Sequence, residues 1–332
     1  MAKPKIGILI NKPLRDQILS NTDLDKLEAI YEVRLNPLER DMNESEAIDF
    51  LRGVDAAISS WGTVPLTWSI IDSAPELQIW AHAAGSVKNM VAEDAWDSGV
   101  VITSAAPAIA DDVAELTMAC ITMGIRKFLP FMQNMALNQP INRDYRTREV
   151  RSLFRATVGV IGASHVGRRV IKLLHHYDTR ILLYDPLVTP SEAAEMGAEL
   201  TDLNTISRES DAVTCHAPKI PETFHLINKS HFKTMKDDAV FVNTSRGDNI
   251  DEEALIKELE KGRLFAFLDV TSPEPSPADS PLRKLPNVAL TPHIAGAKSY
   301  RTGAMAVEEI CRYFAGEQAI HRVTKDMLPT IA

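Results

Sequence analysis

Three side chains in the second half of the chain have the types and placement for acid–base work on a carbonyl compound: Arg246, Glu274 and His293. Each follows an apolar run short enough to be a buried strand. AVFVN precedes Arg246, an LDV at 268–270 precedes Glu274, and ALT at 289–291 precedes His293. In an open parallel sheet, the carboxyl ends of the strands form the edge where ligands bind. Arginine offers two parallel N–H donors that match a carboxylate, and it stays charged. Histidine titrates near neutrality, so it can give a proton to a carbonyl oxygen as hydride arrives, or take one from a hydroxyl. A glutamate beside it favours the imidazolium and fixes the ring. Such help is worth about 10² to 10⁴ in rate.

A hydride donor is read from residues 157–186, TVGVIGASHVGRRVIKLLHHYDTRILLYDP. An apolar run at 157–161 predicts a strand buried on both faces. Gly162, Ser164 and Gly167 then stand where a dinucleotide-binding turn has its three glycines. Val170, Ile171 and Leu174 are spaced as on a helix, and a second strand at 181–184 ends on Asp185, 23 positions after Gly162. A helix amino terminus holds a pyrophosphate, and the terminal carboxylate accepts from the ribose diol of NAD while repelling the extra phosphate of NADP. Ser164 adds a β-carbon where the backbone must approach the phosphates, and a hydroxyl suited to bond one of their oxygens.

The elements around these residues alternate. Strands are expected at 5–10, 31–35, 56–59, 77–82 and 100–103, with helical spacing at 16–29, 44–51 and 70–73. A long helix at 108–128 leads to a polar segment, 131–155, suited to an arm against a second subunit. Six parallel strands follow at 157–161, 181–184, 211–215, 239–243, 264–269 and 287–291, as in a doubly wound dinucleotide domain. A four-proline loop at 272–281 and a returning helix at 299–314 complete the chain. Cys215 and His216 are adjacent and face opposite sides of a strand, which argues against a nucleophile–base pair. His175 and His176 stand near a helix end, placed to meet its last carbonyls.

Composition bounds the rest. The 332 residues carry 36 basic and 45 acidic side chains, a net charge of −9, which argues against a nucleic-acid or anionic-membrane surface. Three scattered cysteines, Cys120, Cys215 and Cys311, share no metal spacing and fit a reduced, cytoplasmic setting. MAKPKIGILI reads as a first strand rather than a signal peptide, and no apolar run approaches the roughly 18 residues of a membrane span.

Residues 218–255, PKIPETFHLINKSHFKTMKDDAVFVNTSRGDNIDEEAL, together with VGVIGASHVGRRV, LDV and TPHIAG, closely resemble the signature blocks of the D-isomer-specific 2-hydroxyacid dehydrogenases. The resemblance runs from about Gly85 to the end. It implies an α/β protein of two domains: a doubly wound Rossmann-type NAD-binding domain at 105–296, and a smaller flavodoxin-like substrate domain built from 1–104 and 297–332. It implies NAD-linked interconversion of a 2-oxo acid and its D-2-hydroxy acid, in a cleft between the domains of a homodimer. Arg246 would bind the substrate carboxylate, with His293 the proton donor and Glu274 its partner. Asp185 would hold the adenosine ribose, His165 and Val166 would lie with Ser164 at the pyrophosphate, and His216, Pro218 and Thr223 would line the adenine. Thr244 and Asp269 would hold the nicotinamide carboxamide, and Ser86 and Val87 would receive the substrate carboxylate on their backbone. No regulatory domain is expected beyond residue 332.

The sequence departs from the family pattern at Ser164, at His165 where many relatives carry arginine, and in a 246–274 spacing one residue short. The loop at 59–63 carries Trp61 and no basic residue, which counts against a phosphorylated substrate. A rival reading is an NAD(H)-sensing binding protein of the corepressor type. Formate oxidation needs no proton donor and leaves the Glu–His pair without a task.

Overall fold

The structure, a computed structural model, describes residues 3–137, 150–296 and 298–331. The chain divides into two compact units, one made of the residues up to Ile109 and those beyond Gly296, the other Ala110–Gly296.

The first unit is built on β1 (Lys5–Ile8), β2 (Glu32–Leu35), β3 (Ala56–Ser59), β4 (Ile79–His82) and β5 (Val101–Ser104). They form a parallel sheet in the order β5-β4-β3-β1-β2, and a two-residue strand, Arg322–Val323, adds antiparallel to β5. The helical pattern at 16–29 is two helices, Lys12–Ile18 and Asn21–Ile30. Ser20 breaks it: its hydroxyl caps Asp23 while the Asp23 carboxylate accepts from the Ser20 amide, a reciprocal capping box that starts a new helix. The returning helix, Tyr300–Phe314, buries Ala306, Val307 and Ile310 against Ile6, Ile8 and Ile58. Gly303 permits its approach to the helix Lys12–Ile18, since a β-carbon there would lie 2.0 Å from the Ile18 carbonyl oxygen.

The helix Ala106–Ile125 begins in the first unit, continues into the second, and ends earlier than its spacing suggested. Lys127 takes a left-handed φ of 50°, and a further helix, Phe128–Ala136, follows. Of the polar segment expected at 131–155, residues 138–149 lie outside the described residues.

The sheet comprises β6 (Thr157–Ile161), β7 (Arg180–Tyr184), β8 (Glu199–Leu200), β9 (Ala212–Cys215), β10 (Ala239–Asn243), β11 (Leu264–Leu268) and β12 (Val288–Leu290). All pairings are parallel, in the order β12-β11-β10-β9-β6-β7-β8. The count is seven strands rather than six, because β8 is two residues long and leaves no periodicity to read. Strand order reverses between β6 and β9, and that switch point opens the crevice where ligands enter such sheets. The short 246–274 spacing is absorbed without a bulge, since β10 and β11 pair unbroken from Ala239↔Leu264 to Asn243↔Leu268.

Two histidines sit inside the units. His82 has its Nδ1 2.9 Å from the Ser59 hydroxyl, and burial pushes its pKa down to about 4. Burial likewise pushes His216 down to about 3. Both are therefore neutral when folded but take a proton near pH 6.5 when unfolded. The unfolded state binds more protons in this window, so stability is present above about pH 6.5 and falls progressively toward pH 4 and below. For His82 the loss at pH 5 is about 2 kcal/mol relative to pH 7. Urea unfolding of His82→Gln at pH 7 and pH 5 should show a smaller pH effect than the parent; an unchanged difference would contradict the buried neutral imidazole.

Candidate active site

The switch point is shaped by two glycines. Gly162 has φ +94°, and a β-carbon on it would lie 2.9 Å from the Ala217 nitrogen and the His216 carbonyl carbon. A β-carbon on Gly167 would lie 1.9 Å from the Gly162 carbonyl oxygen, so only glycine lets the helix His165–Leu174 start this close to β6. Ser164, at the middle position, has φ −62° and ψ 177°, an extended conformation open to any residue. Its hydroxyl oxygen accepts from the Gly167 amide at 3.4 Å, capping the helix and leaving the hydroxyl hydrogen for an outside acceptor. His165 is exposed in the first turn, and Val166 packs partly into the core.

Asp185 lies just past β7. The Ala163 amide donates to its Oδ2 at 2.7 Å and the Leu187 amide to its Oδ1 at 2.8 Å. Both oxygens are thereby oriented at the turn, and each keeps acceptor capacity for a ribose hydroxyl.

Two of the residues expected to line the adenine have side-chain partners within the protein. The His216 ring is buried with Nε2 3.0 Å from the Thr214 hydroxyl, so its side chain serves the interior. The Thr223 hydroxyl donates to the Pro218 carbonyl at 2.6 Å and accepts from the Ile220 amide at 3.1 Å, closing its own turn. Pro218 is half-buried beside them. His175 also departs from expectation: its Nε2 lies 2.8 Å from the Met196 carbonyl oxygen, on the neighbouring crossing, rather than on its own helix.

At the ends of β10, β11 and β12 the three chemistry-bearing residues meet. Asn243 organises the first turn, donating to the Arg246 carbonyl at 3.0 Å and accepting from the Ser245 amide at 3.1 Å. Burial lowers the pKa of Arg246, and the field of the Glu274 carboxylate opposes that shift. Glu274 Oε1 is 2.6 Å from His293 Nδ1. The contact fixes Nδ1 as the nitrogen turned to the carboxylate and leaves Nε2 for a substrate oxygen. The pair is partly open, with His293 44% and Glu274 40% exposed.

His293 has φ +56°, a left-handed conformation that a side-chain-bearing residue keeps only where its surroundings impose it. Asp269 imposes it. Its buried Oδ1 accepts from the Thr291 hydroxyl at 2.5 Å and the Ile294 amide at 2.8 Å, and its Oδ2 accepts from the Ala295 amide at 2.7 Å. The His293 amide donates to the Asp269 carbonyl at 2.9 Å. The carboxylate expected at a nicotinamide carboxamide is thus bound to the loop carrying His293. Thr244, expected beside it, is buried with its hydroxyl 2.9 Å from that of Thr117.

Sequence reasoning passed over Ser272, whose hydroxyl donates to Asp248 and whose amide donates to Glu252, in the turn after Arg246 and the loop before Glu274. Their only signal is that Asp248 lies two residues after Arg246 and Ser272 two before Glu274. In the first unit, Val87 is buried in the core, while Ser86 is exposed and its hydroxyl accepts from the Lys88 amide at 3.4 Å.

Residues 118–295 match the D-isomer specific 2-hydroxyacid dehydrogenase, NAD binding domain. The chain belongs to this family. Like the other D-2-hydroxyacid dehydrogenases, it is an NAD-dependent oxidoreductase of the CH–OH class, and the glycine turn fits that cofactor. It is 32% identical to hydroxypyruvate reductase of Thermotoga maritima, across 91% of this chain and 96% of that protein. It is 30% identical to D-3-phosphoglycerate dehydrogenase of Methanocaldococcus jannaschii, across 98% of this chain but only 60% of that longer protein. The fold is also that of a phosphoglycerate oxidoreductase from Rhizobium etli, with a TM-score of 0.81, 21% identity, and coverage of 97% of this chain and 99% of that one.

In this dehydrogenase, Gly167→Ala should push the helix off the turn. NADH binding followed by fluorescence should weaken by at least about 10-fold, the cost of some 1.4 kcal/mol. Unchanged affinity would contradict the role given to the close approach.

Proposed function

We propose that the protein reduces a small 2-oxo acid to its D-2-hydroxy acid, or runs the reverse oxidation, with Arg246, Glu274 and His293 as the residues that carry the reaction. The observation that carries the reading is the 2.6 Å contact between Glu274 and His293 at a sheet edge shared with Arg246. NADH, held at the glycine turn and Asp185, would supply the hydride. The Arg246 guanidinium binds the substrate carboxylate and draws charge from the adjacent carbonyl. Glu274 holds the proton on His293 Nδ1, which points Nε2 and its own proton at the carbonyl oxygen. As the oxygen gains charge it takes that proton, and in the reverse direction Nε2 takes it back.

Several features support the finer parts. The orientation of both Asp185 oxygens favours NAD over NADP. Backbone groups of Ser86 and Val87 suit a substrate carboxylate. The absence of a basic residue at 59–63 favours an unphosphorylated acid of glyoxylate or hydroxypyruvate size. The unit Ala110–Gly296 is then the NAD-binding domain and the other the substrate domain. A homodimer is supported by Phe128, Met132 and Met135, which recur at i, i+4 and i+7 and are about half exposed. A cytoplasmic setting is supported by the three free cysteines. Among the described residues no helix is long and apolar enough to cross a membrane. With the acidic net charge, this favours small-molecule partners over nucleic acid or membrane.

The test is NADH oxidation against glyoxylate, hydroxypyruvate, pyruvate and larger 2-oxo acids. At least one should be reduced, and His293→Asn should lower kcat on it by about 10² to 10⁴ with NADH affinity retained. Binding of NADH with no turnover on any acid would favour the sensing alternative.

A further inference from the structure

The carboxylate of Glu274 is useful only while its backbone stays put, and glutamate has three side-chain torsions over which to lose its aim. The loop after it is held by Arg283, whose Nη2 donates to the Ser276 carbonyl at 2.6 Å and whose Nε donates to the Pro277 carbonyl at 2.9 Å. The loop before it is held at Ser272, and there both donors of the residue are taken by carboxylates. The Ser272 hydroxyl donates to Asp248 Oδ1, and its amide donates to Glu252 Oε2 at 3.1 Å. Asp248 is anchored in turn by Lys219, with Nζ to Oδ2 at 2.5 Å. Glu252 is half-buried, so its bond to the amide is sheltered from water. The turn that follows Arg246 lies directly on this segment: a β-carbon on Gly247 would stand 2.1 Å from the Thr271 carbonyl carbon and oxygen.

We infer that Ser272, gripped by Asp248 and Glu252, is a positioning residue that fixes Glu274 relative to Arg246. Asp248 belongs to the turn of Arg246, and Ser272 belongs to the loop of Glu274. The clamp therefore sets the spacing between the group that binds the substrate carboxylate and the pair that moves the proton. None of its members touches the reacting atoms, and its effect is exerted through the aim of Glu274 and His293. This inference rests on the acid–base reading given above.

Ser272→Ala removes the hydroxyl and keeps the amide, and Asp248→Ala removes the same bond from the other side. A displacement of the order of 1 Å at a reacting group can cost about 10²-fold in rate. Both variants should therefore lower kcat by about 10-fold or more, with NADH affinity near the parent value and a larger solvent isotope effect on kcat. Asp248→Asn retains an acceptor oxygen and should recover most of the loss. If Ser272→Ala does not fold, the two Asp248 variants give the same comparison. Parent kcat in Asp248→Ala, or equal losses in Asp248→Ala and Asp248→Asn, would overturn the clamp. His293→Asn, assayed in parallel, separates the two readings. If His293→Asn is inactive while Asp248→Ala is unimpaired, only the clamp falls. An active His293→Asn removes the acid–base reading on which it rests.

Discussion

The Asp269 carboxylate is the interaction on which the arrangement of the site depends. It is 3% exposed, and three donors from the five residues 291–295 converge on its two oxygens. A buried carboxylate is tolerated only when its acceptor sites are filled, so the loop and the carboxylate require each other. The left-handed backbone of His293 costs of order 1–3 kcal/mol, and the Asp269 bonds on either side offset it. What results is an imidazole whose Nδ1 faces Glu274 and whose Nε2 is left to face outward.

The surrounding sheet explains why one aspartate can do this. Because β10, β11 and β12 are neighbours in parallel register, their carboxyl ends deliver Asn243, Asp269 and Thr291 to one edge. The Asp269 amide donates to the Asn243 carbonyl at 3.0 Å and the Thr291 amide to the Leu268 carbonyl at 3.0 Å, so the ladder continues into the loops. Each loop then inherits the rigidity of a buried strand. At the other side of the sheet, the glycine turn and Asp185 use the same logic: strand ends fix a loop, and backbone amides fix a carboxylate.

Much of this was legible in the residues, for definable reasons. AVFVN is buried at all five positions, so its continuous apolar run announces a strand and makes Arg246 a residue of the sheet edge. Asp185 and the glycines follow a spacing that geometry dictates, and Gly162 and Gly167 prove to be positions where a β-carbon does not fit. Other features were not legible because they depend on which strands become neighbours. Asp269 looked like a ligand-facing acid, and nothing local shows that its partners lie more than twenty residues away at 291–295. Nor does anything local show that the Thr223 hydroxyl bonds the Pro218 carbonyl, or that the His216 ring meets the Thr214 hydroxyl. The strand Glu199–Leu200 is too short to carry a pattern, and the capping box at Ser20 divides a helix that apolar spacing alone runs together.

The central claim, that Asp269 holds His293 on Glu274, is tested most directly by the steady-state kinetics of Asp269→Asn with saturating NADH. Asparagine keeps one acceptor oxygen but turns an NH₂ toward a backbone amide, so the loop loses at least one anchor and gains a donor–donor conflict. The account predicts a fall in kcat on the preferred 2-oxo acid of about 10²-fold, from a displacement of the order of 1 Å at the proton donor, in a protein that still folds and binds NADH. A parent kcat in that variant would contradict it.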